Sequence, residues 1–116
     1  MDEFDIPIFK KTYELFKLSY EYRFTVPKQD RYALWQRCED AVINVLENIL
    51  RASSLPKHEK YPVLQNTSVQ INCLRVFVRL AKDIKAIDGK KYVRLEAVID
   101  EIGRMIGGWI KATKER

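Results

Sequence analysis

The sequence predicts an all-α fold, an antiparallel up-down-up-down four-helix bundle occupying residues 1–116 as one domain. Three observations carry this expectation. Four long stretches place apolar residues at helical spacing with charge on the opposite side. The connections between them are short or moderate, which favours antiparallel neighbours. No stretch alternates at period two for any length, so nothing reads as a strand. A chain of 116 residues, 47% apolar and 32% charged, suits a soluble globular protein with one core. Its longest apolar runs fall far short of the roughly 20 residues a membrane span needs.

The first helix opens at Asp5-Ile6-Pro7, where proline suits the first turn and an acid complements the helix dipole, and it runs to about Arg23. Ile8, Phe9, Phe16, Tyr20 and Phe24, with Tyr13, are expected on its inner face. Lys10, Glu14, Lys17 and Glu21 alternate in sign on the other side as a solvated ion-pair face. Val26-Pro27 breaks the pattern. A second helix follows from about Gln29 or Asp30 to Ala52, with Leu34, Cys38, Ala41, Val42, Val45, Leu46 and Ile49 inward. Its polar line, Arg37, Asp40, Asn44, Glu47 and Arg51, is open to solvent or to a subunit contact. Residues 53–62, with Ser53, Ser54, Pro56 and Pro62, read as an exposed connection with room for a short helical turn. His58, the sole histidine, lies there without a Cys, Ser or carboxylate constellation around it and has no catalytic role in this reading.

The third helix is placed from about Val63 to Ile87, with Cys73, Phe77, Leu80 and Ile84 toward the core and Leu74, Ala81 and Ile87 on the flanks. Opposite that side, Asn72, Arg75, Arg79 and Lys82 fall in one narrow sector, and the helix supplies no acid there to neutralise the cations. Such a stripe is either a plain wet surface or a binding face. Asp88-Gly89 makes a tight break. The fourth helix runs from about Lys91 to Lys114 around an apolar stripe of Leu95, Ile99, Ile102, Ile106 and Trp109, widened by Val98 and Ile110. Its outer line of Arg94, Glu101, Arg104 and Lys111 is partly basic. Gly103, Gly107 and Gly108 sit inside this helix although each costs roughly 1 kcal/mol relative to alanine. Bare backbone on the Gly103 and Gly107 side would admit another helix unusually closely; the other reading is a tolerant surface helix.

The net charge of +5 is unevenly spread. Residues 1–68 carry ten Lys/Arg and ten Asp/Glu, whereas residues 69–116 carry eleven and six, so the whole excess lies in the C-terminal part. At a pI near 9.2, that asymmetry can offer a phosphate backbone or an acidic protein a directional surface. The opening MDEFDIPIFKK lacks the basic start and apolar run of a secretory signal, which points to the cytoplasm. Cys38 and Cys73 come without a CxxC or clustered histidine and read as reduced, buried thiols. A metal site in a bundle would want Glu-x-x-His pairs pointing inward, and the paired acids Glu39-Asp40 and Asp100-Glu101 are adjacent rather than convergent. The expectation is therefore no enzyme, no metal, no cofactor, no small-molecule substrate and no membrane association.

Two stretches carry a family resemblance. Glu101-Ile102-Gly103-Arg104-Met105-Ile106-Gly107-Gly108-Trp109-Ile110-Lys111 resembles the terminal helix of the accessory variability determinant proteins of diversity-generating retroelements. Leu74-Arg75-Val76-Phe77-Val78-Arg79-Leu80 resembles the third helix of the same proteins, with two arginines four apart. Those proteins share a four-helix-bundle family with the proteins encoded in 23S ribosomal RNA intervening sequences. The segment from Phe24 to Leu34 is similar in outline to the intervening-sequence group, but the run that usually follows the second helix in that branch is missing. The resemblance implies a nonenzymatic homopentamer shaped like a tapered barrel, whose basic surface binds a reverse transcriptase and its template RNA, with cDNA or DNA as further nucleic-acid partners. Arg75, Arg79, Arg104 and Lys111 match its basic positions; Lys82, Arg94 and Lys114 join them on spacing and charge. In a closed ring the glycines, with Trp109, would serve close packing between neighbouring helices. The alternative is an intervening-sequence-type interaction protein whose partner is an acidic protein rather than RNA.

Overall fold

The computed structural model describes residues 6–114. It contains α1 (Pro7–Arg23), α2 (Lys28–Arg31), α3 (Leu34–Ser54), α4 (Lys57–Asp83) and α5 (Gly89–Lys114), with no strand among the described residues. The long helix α1 packs on α3 and α5, and α4 packs on the same two, so α1 and α4 face each other across the diagonal of a four-helix bundle. None of the helices is long and apolar enough to cross a membrane.

Helix α1 starts as expected, with Pro7 in its first turn. The face it buries is rotated from the expected one. Ile8, Phe9, Leu15, Leu18 and Tyr22 are buried, whereas Phe16 is half-buried and Tyr13, Tyr20 and Phe24 are exposed. Aliphatic and aromatic residues both recur at helical spacing here, and the interior takes the aliphatic set. Thr12 and Ser19 enter it because their hydroxyls donate to the carbonyls of Ile8 and Leu15, each at 2.8 Å, leaving no polar hydrogen unsatisfied. The aromatics form a line on the flank instead, with Tyr20 and Phe24 edge to face at 5.6 Å.

The connection to α3 holds the one-turn α2, so the second long helix begins at Leu34 rather than at Gln29 or Asp30. The Asp30 and Arg31 N–H groups bond back to the Pro27 carbonyl, and the chain bends at Tyr32 and Ala33 before Trp35 enters the core. Trp35 is 1% exposed and its indole Nε1 donates to the Ser19 carbonyl at 3.0 Å. Arg23 pairs with buried Glu39. Burial pushes the Glu39 carboxyl above its ordinary range, and the Arg23 guanidinium opposes that. Cys38 is also buried, its thiol pushed up to about 12 by burial, while Cys73 is half-buried; both are free.

Helix α4 differs most from expectation. It starts at Lys57, six residues before Val63, so much of the expected connection 53–62 is helical and Pro62 lies inside the helix. Pro62 deprives the His58 carbonyl of its donor, but both residues are exposed and water can serve that carbonyl. Its core face is Leu64, Thr67, Ile71, Leu74, Val78 and Ala81; Cys73 and Phe77 are half-buried, while Leu80 and Ile84 are 45% and 48% exposed. The helix ends at Asp83, not at Ile87. Lys85 takes a left-handed backbone (φ 66°), the Ala86 N–H bonds the Ala81 carbonyl at 2.8 Å and the Lys85 N–H bonds the Lys82 carbonyl at 2.9 Å. This is the closing turn in which a left-handed residue satisfies the last helical carbonyls. Helix α5 then begins at Gly89, capped by Asp88 Oδ1, which accepts the Lys91 N–H at 2.8 Å. Its expected core stripe stands: Leu95, Val98, Ile99, Ile102 and Ile106 are buried.

Candidate functional site

Rotating α4 moves its basic stripe. Arg75, Arg79 and Lys82 do not lie opposite the core; they line the seam where α4 meets α5. Arg75 Nε donates to Asp100 Oδ1 at 3.1 Å and its Nη1 to Asn72 Oδ1 at 2.8 Å. An acid from the neighbouring helix thus neutralises the first of the three cations, which reading α4 alone could not show. Both partners of this pair are about 40% exposed, so the pair lends little stability and fixes direction instead.

Gly103 lies beneath that guanidinium. A Cβ added there would come within 2.5 Å of Arg75 Nη2, whereas Gly107 and Gly108 would meet nothing within 4 Å. Within this chain, then, Gly103 makes room for an arginine rather than for a helix. Gly107 and Gly108 are exposed on α5 with open space before them.

Two further seam cations rest on aromatic rings. Lys82 Nζ stands 4.7 Å from the Tyr92 ring centre, and Lys114 Nζ 5.1 Å from that of Tyr61. Tyr92 donates to Glu96 Oε2 at 2.7 Å, and this bond holds its hydroxyl above the usual range, while Arg79 acts in the opposite direction from α4. Arg104 and Lys111 are exposed on the outer side of α5.

Arg94 is set apart. It lies one heptad before Glu101, which pairs with Lys11 of α1 at 3.2 Å, so Arg94 belongs to the α1 flank. Asp100 and Glu101, adjacent in sequence, thus face opposite sides of α5. Trp109 is half-buried at one end of the bundle. With Ile6, Pro7 and Met105 it lines an apolar cavity of about 320 Å³, and Lys60 Nζ lies 5.7 Å from its ring.

Two features escaped the sequence reading. The outermost line of α4 is apolar: Val69, Val76 and Leu80 are 56%, 64% and 45% exposed, with half-buried Cys73 among them. At the end of the bundle, Lys85 and Lys91 join Lys82 around a cavity beside the α4–α5 turn. The spacing of 69, 73, 76 and 80 was a signal for the first. Nothing local signalled the second, because it depends on how two turns meet.

The arrangement is a cationic seam, partly balanced by Asp100 and Glu96, beside an exposed apolar line. The model of a protein family described as bAvd-like matches residues 7–113. No curated protein matches the chain.

Proposed function

The chain belongs to the bAvd-like family, the bacterial accessory variability determinants, and from that premise we propose that it is the nonenzymatic accessory protein of a diversity-generating retroelement. In this reading it is a basic homopentameric scaffold that holds the reverse transcriptase and its template RNA while mutagenised cDNA is made. The observation that carries the reading is the family match, which runs along nearly the whole chain and covers every helix.

Two structural features support it. The seam cations Arg79, Lys82 and Lys114, together with Arg104 and Lys111, are disposed along the length of the bundle, as contacts to a phosphate backbone require. Fivefold repetition of a +5 chain gives a formal +25 assembly, which strengthens a patch too weak to act alone. The apolar line on α4 and the aromatic line on α1 lie on helices that face each other across the diagonal of the bundle. Two different patches joining copy to copy make a head-to-tail contact, the kind that closes into a ring. Assembly through these lines replaces the glycines as the main contact, with Gly107 and Gly108 as open positions a neighbour could approach.

The test is copurification of template RNA and reverse transcriptase with the parent and with an Arg79→Glu/Arg104→Glu double variant. The parent retains both, and its RNA affinity falls steeply with salt, by a slope of about 0.7 for each phosphate neutralised on a single strand. The variant keeps its helical fold and loses RNA. Equal RNA retention by parent and variant would contradict the reading, and retention of a protein partner alone would favour the intervening-sequence alternative.

A further inference from the structure

Where the two turns of the bundle meet, a second cationic feature adjoins the seam and shares Lys82 with it. The α1–α2 connection contributes Thr25, the last turn of α4 contributes Lys82, the following turn contributes Lys85, and the start of α5 contributes Gly89 and Lys91. Together they line an open cavity of about 480 Å³. Three lysines from three segments therefore face one space, and Asp88 is the sole acid on its wall.

That acid is already committed. Asp88 accepts the backbone N–H of Lys91 at 2.8 Å and the Lys91 ammonium at 3.2 Å, and these bonds hold its carboxyl below the usual carboxylate range. Lys82 has only a 3.9 Å approach to Asp83, and among the described residues no acid pairs with Lys85. The cavity is thus left with a cationic surplus. The first turn of the 26-residue α5 opens at its wall, and Asp88 satisfies only one of the N–H groups that a first turn leaves without an intrahelical acceptor.

Lys85 is the most telling residue. It is the one non-glycine residue with a positive φ among those described, at the position of the helix-closing turn that glycine ordinarily fills. A lysine there is conformationally costly where glycine would not be, and what it adds is an ammonium at the cavity. The wall carries no aromatic ring on which a base could stack, and its charges are compact ammonium groups rather than planar forks.

We propose that this cavity binds linked phosphate groups, with Lys82, Lys85 and Lys91 as the binding residues. Consecutive phosphates of a nucleic-acid strand and the triphosphate of a free nucleotide present the same chemistry. The site does not depend on the retroelement reading, since a scaffold of another kind would bind the same groups there.

The experiment is calorimetric titration of the full chain with inorganic tripolyphosphate at low salt, in the parent and in Lys85→Gly. Glycine suits the left-handed position, so the variant melts at or above the parent's temperature and any loss of binding is not loss of fold. Tripolyphosphate binding weakens about fivefold in Lys85→Gly, the upper end for one solvent-exposed charge pair, and by a similar factor in Lys91→Gln. Parallel arms with ATP and with a 12-nucleotide RNA bearing a 5′-hydroxyl identify the source: tighter ATP binding assigns the site to free nucleotides, tighter RNA binding to a strand. Tripolyphosphate affinity equal in parent and Lys85→Gly, or no binding at all at low salt, overturns the proposal. If Arg79→Glu/Arg104→Glu abolishes tripolyphosphate binding while Lys85→Gly does not, the phosphates lie on the seam and the cavity proposal falls with the functional reading intact. If Lys85→Gly loses tripolyphosphate while the parent retains neither RNA nor polymerase, the cavity stands and the functional reading falls.

Discussion

Along α4, Ile71, Leu74, Val78 and Ala81 are at most 3% exposed, whereas Val69, Val76 and Leu80, at the same helical spacing on the other side, are 45% exposed or more. One line sits in the bundle and the other faces out, although their side chains are of the same kind. A helix apolar on two sides is ordinarily covered on two sides. The bundle supplies the first cover, and another copy of the chain supplies the second in the assembly proposed here.

The largest expected effect probes the inner line. Leu74→Ala should destabilise the bundle by about 3 kcal/mol, through lost apolar burial and the cavity left behind, measured by urea unfolding. A loss below about 1 kcal/mol, the range of surface substitutions, would mean that the two lines had been assigned the wrong way round. The glycines of α5 come next. Gly107→Ala and Gly108→Ala should each stabilise an isolated chain by about 1 kcal/mol, the propensity difference in a helix interior, since nothing lies within 4 Å of the added methyl. If either variant instead dissociates the assembly, the neighbour packs on α5 as well as on α4. On the outer line, Val76→Gln should change the unfolding free energy of the dissociated chain by no more than about 0.5 kcal/mol; a change as large as that of Leu74→Ala would erase the contrast between the faces.

The smallest effect belongs to the turn that ends α4. The folded-state pKa of Asp88 is depressed, so its contribution is present above the ordinary value of 3.8 and is lost as pH falls through the lower folded value. Asp88→Asn should remove that contribution, lowering stability by a constant small amount above pH 3.8 and flattening the profile below it. Buried Glu39 acts with the opposite sign. Its raised pKa makes stability fall as pH rises from 4.5 through the folded value, so the two carboxylates are separable by thermal melts across the acid range.

These contrasts explain what the sequence disclosed. The all-helical class and the core of α5 were legible because Leu95, Val98, Ile99, Ile102 and Ile106 form one stripe with no rival. Helices α1 and α4 each carry two apolar stripes, and periodicity weighs both alike, so Phe24 and Leu80 read as interior though both are exposed. The α4 start was misplaced because Pro56, Lys57 and Pro62 resemble a loop until tertiary packing of Leu64 and the bond from Lys60 Nζ to the Ala52 carbonyl at 2.5 Å tie the turn down. Of the candidate site, the identity of the cations was readable, but their company was not. Asp100 meets Arg75 from 25 residues away, and within this chain the space before Gly103 is taken by that arginine. Lys85 became visible only through its backbone.

The most direct test is the mass in solution of the parent and of Val69→Lys/Val76→Lys, by light scattering across a range of protein concentration. The account predicts a fixed multiple of 13.7 kDa for the parent and a folded 13.7 kDa chain for the variant. A parent that scatters as a 13.7 kDa particle at every concentration would contradict it.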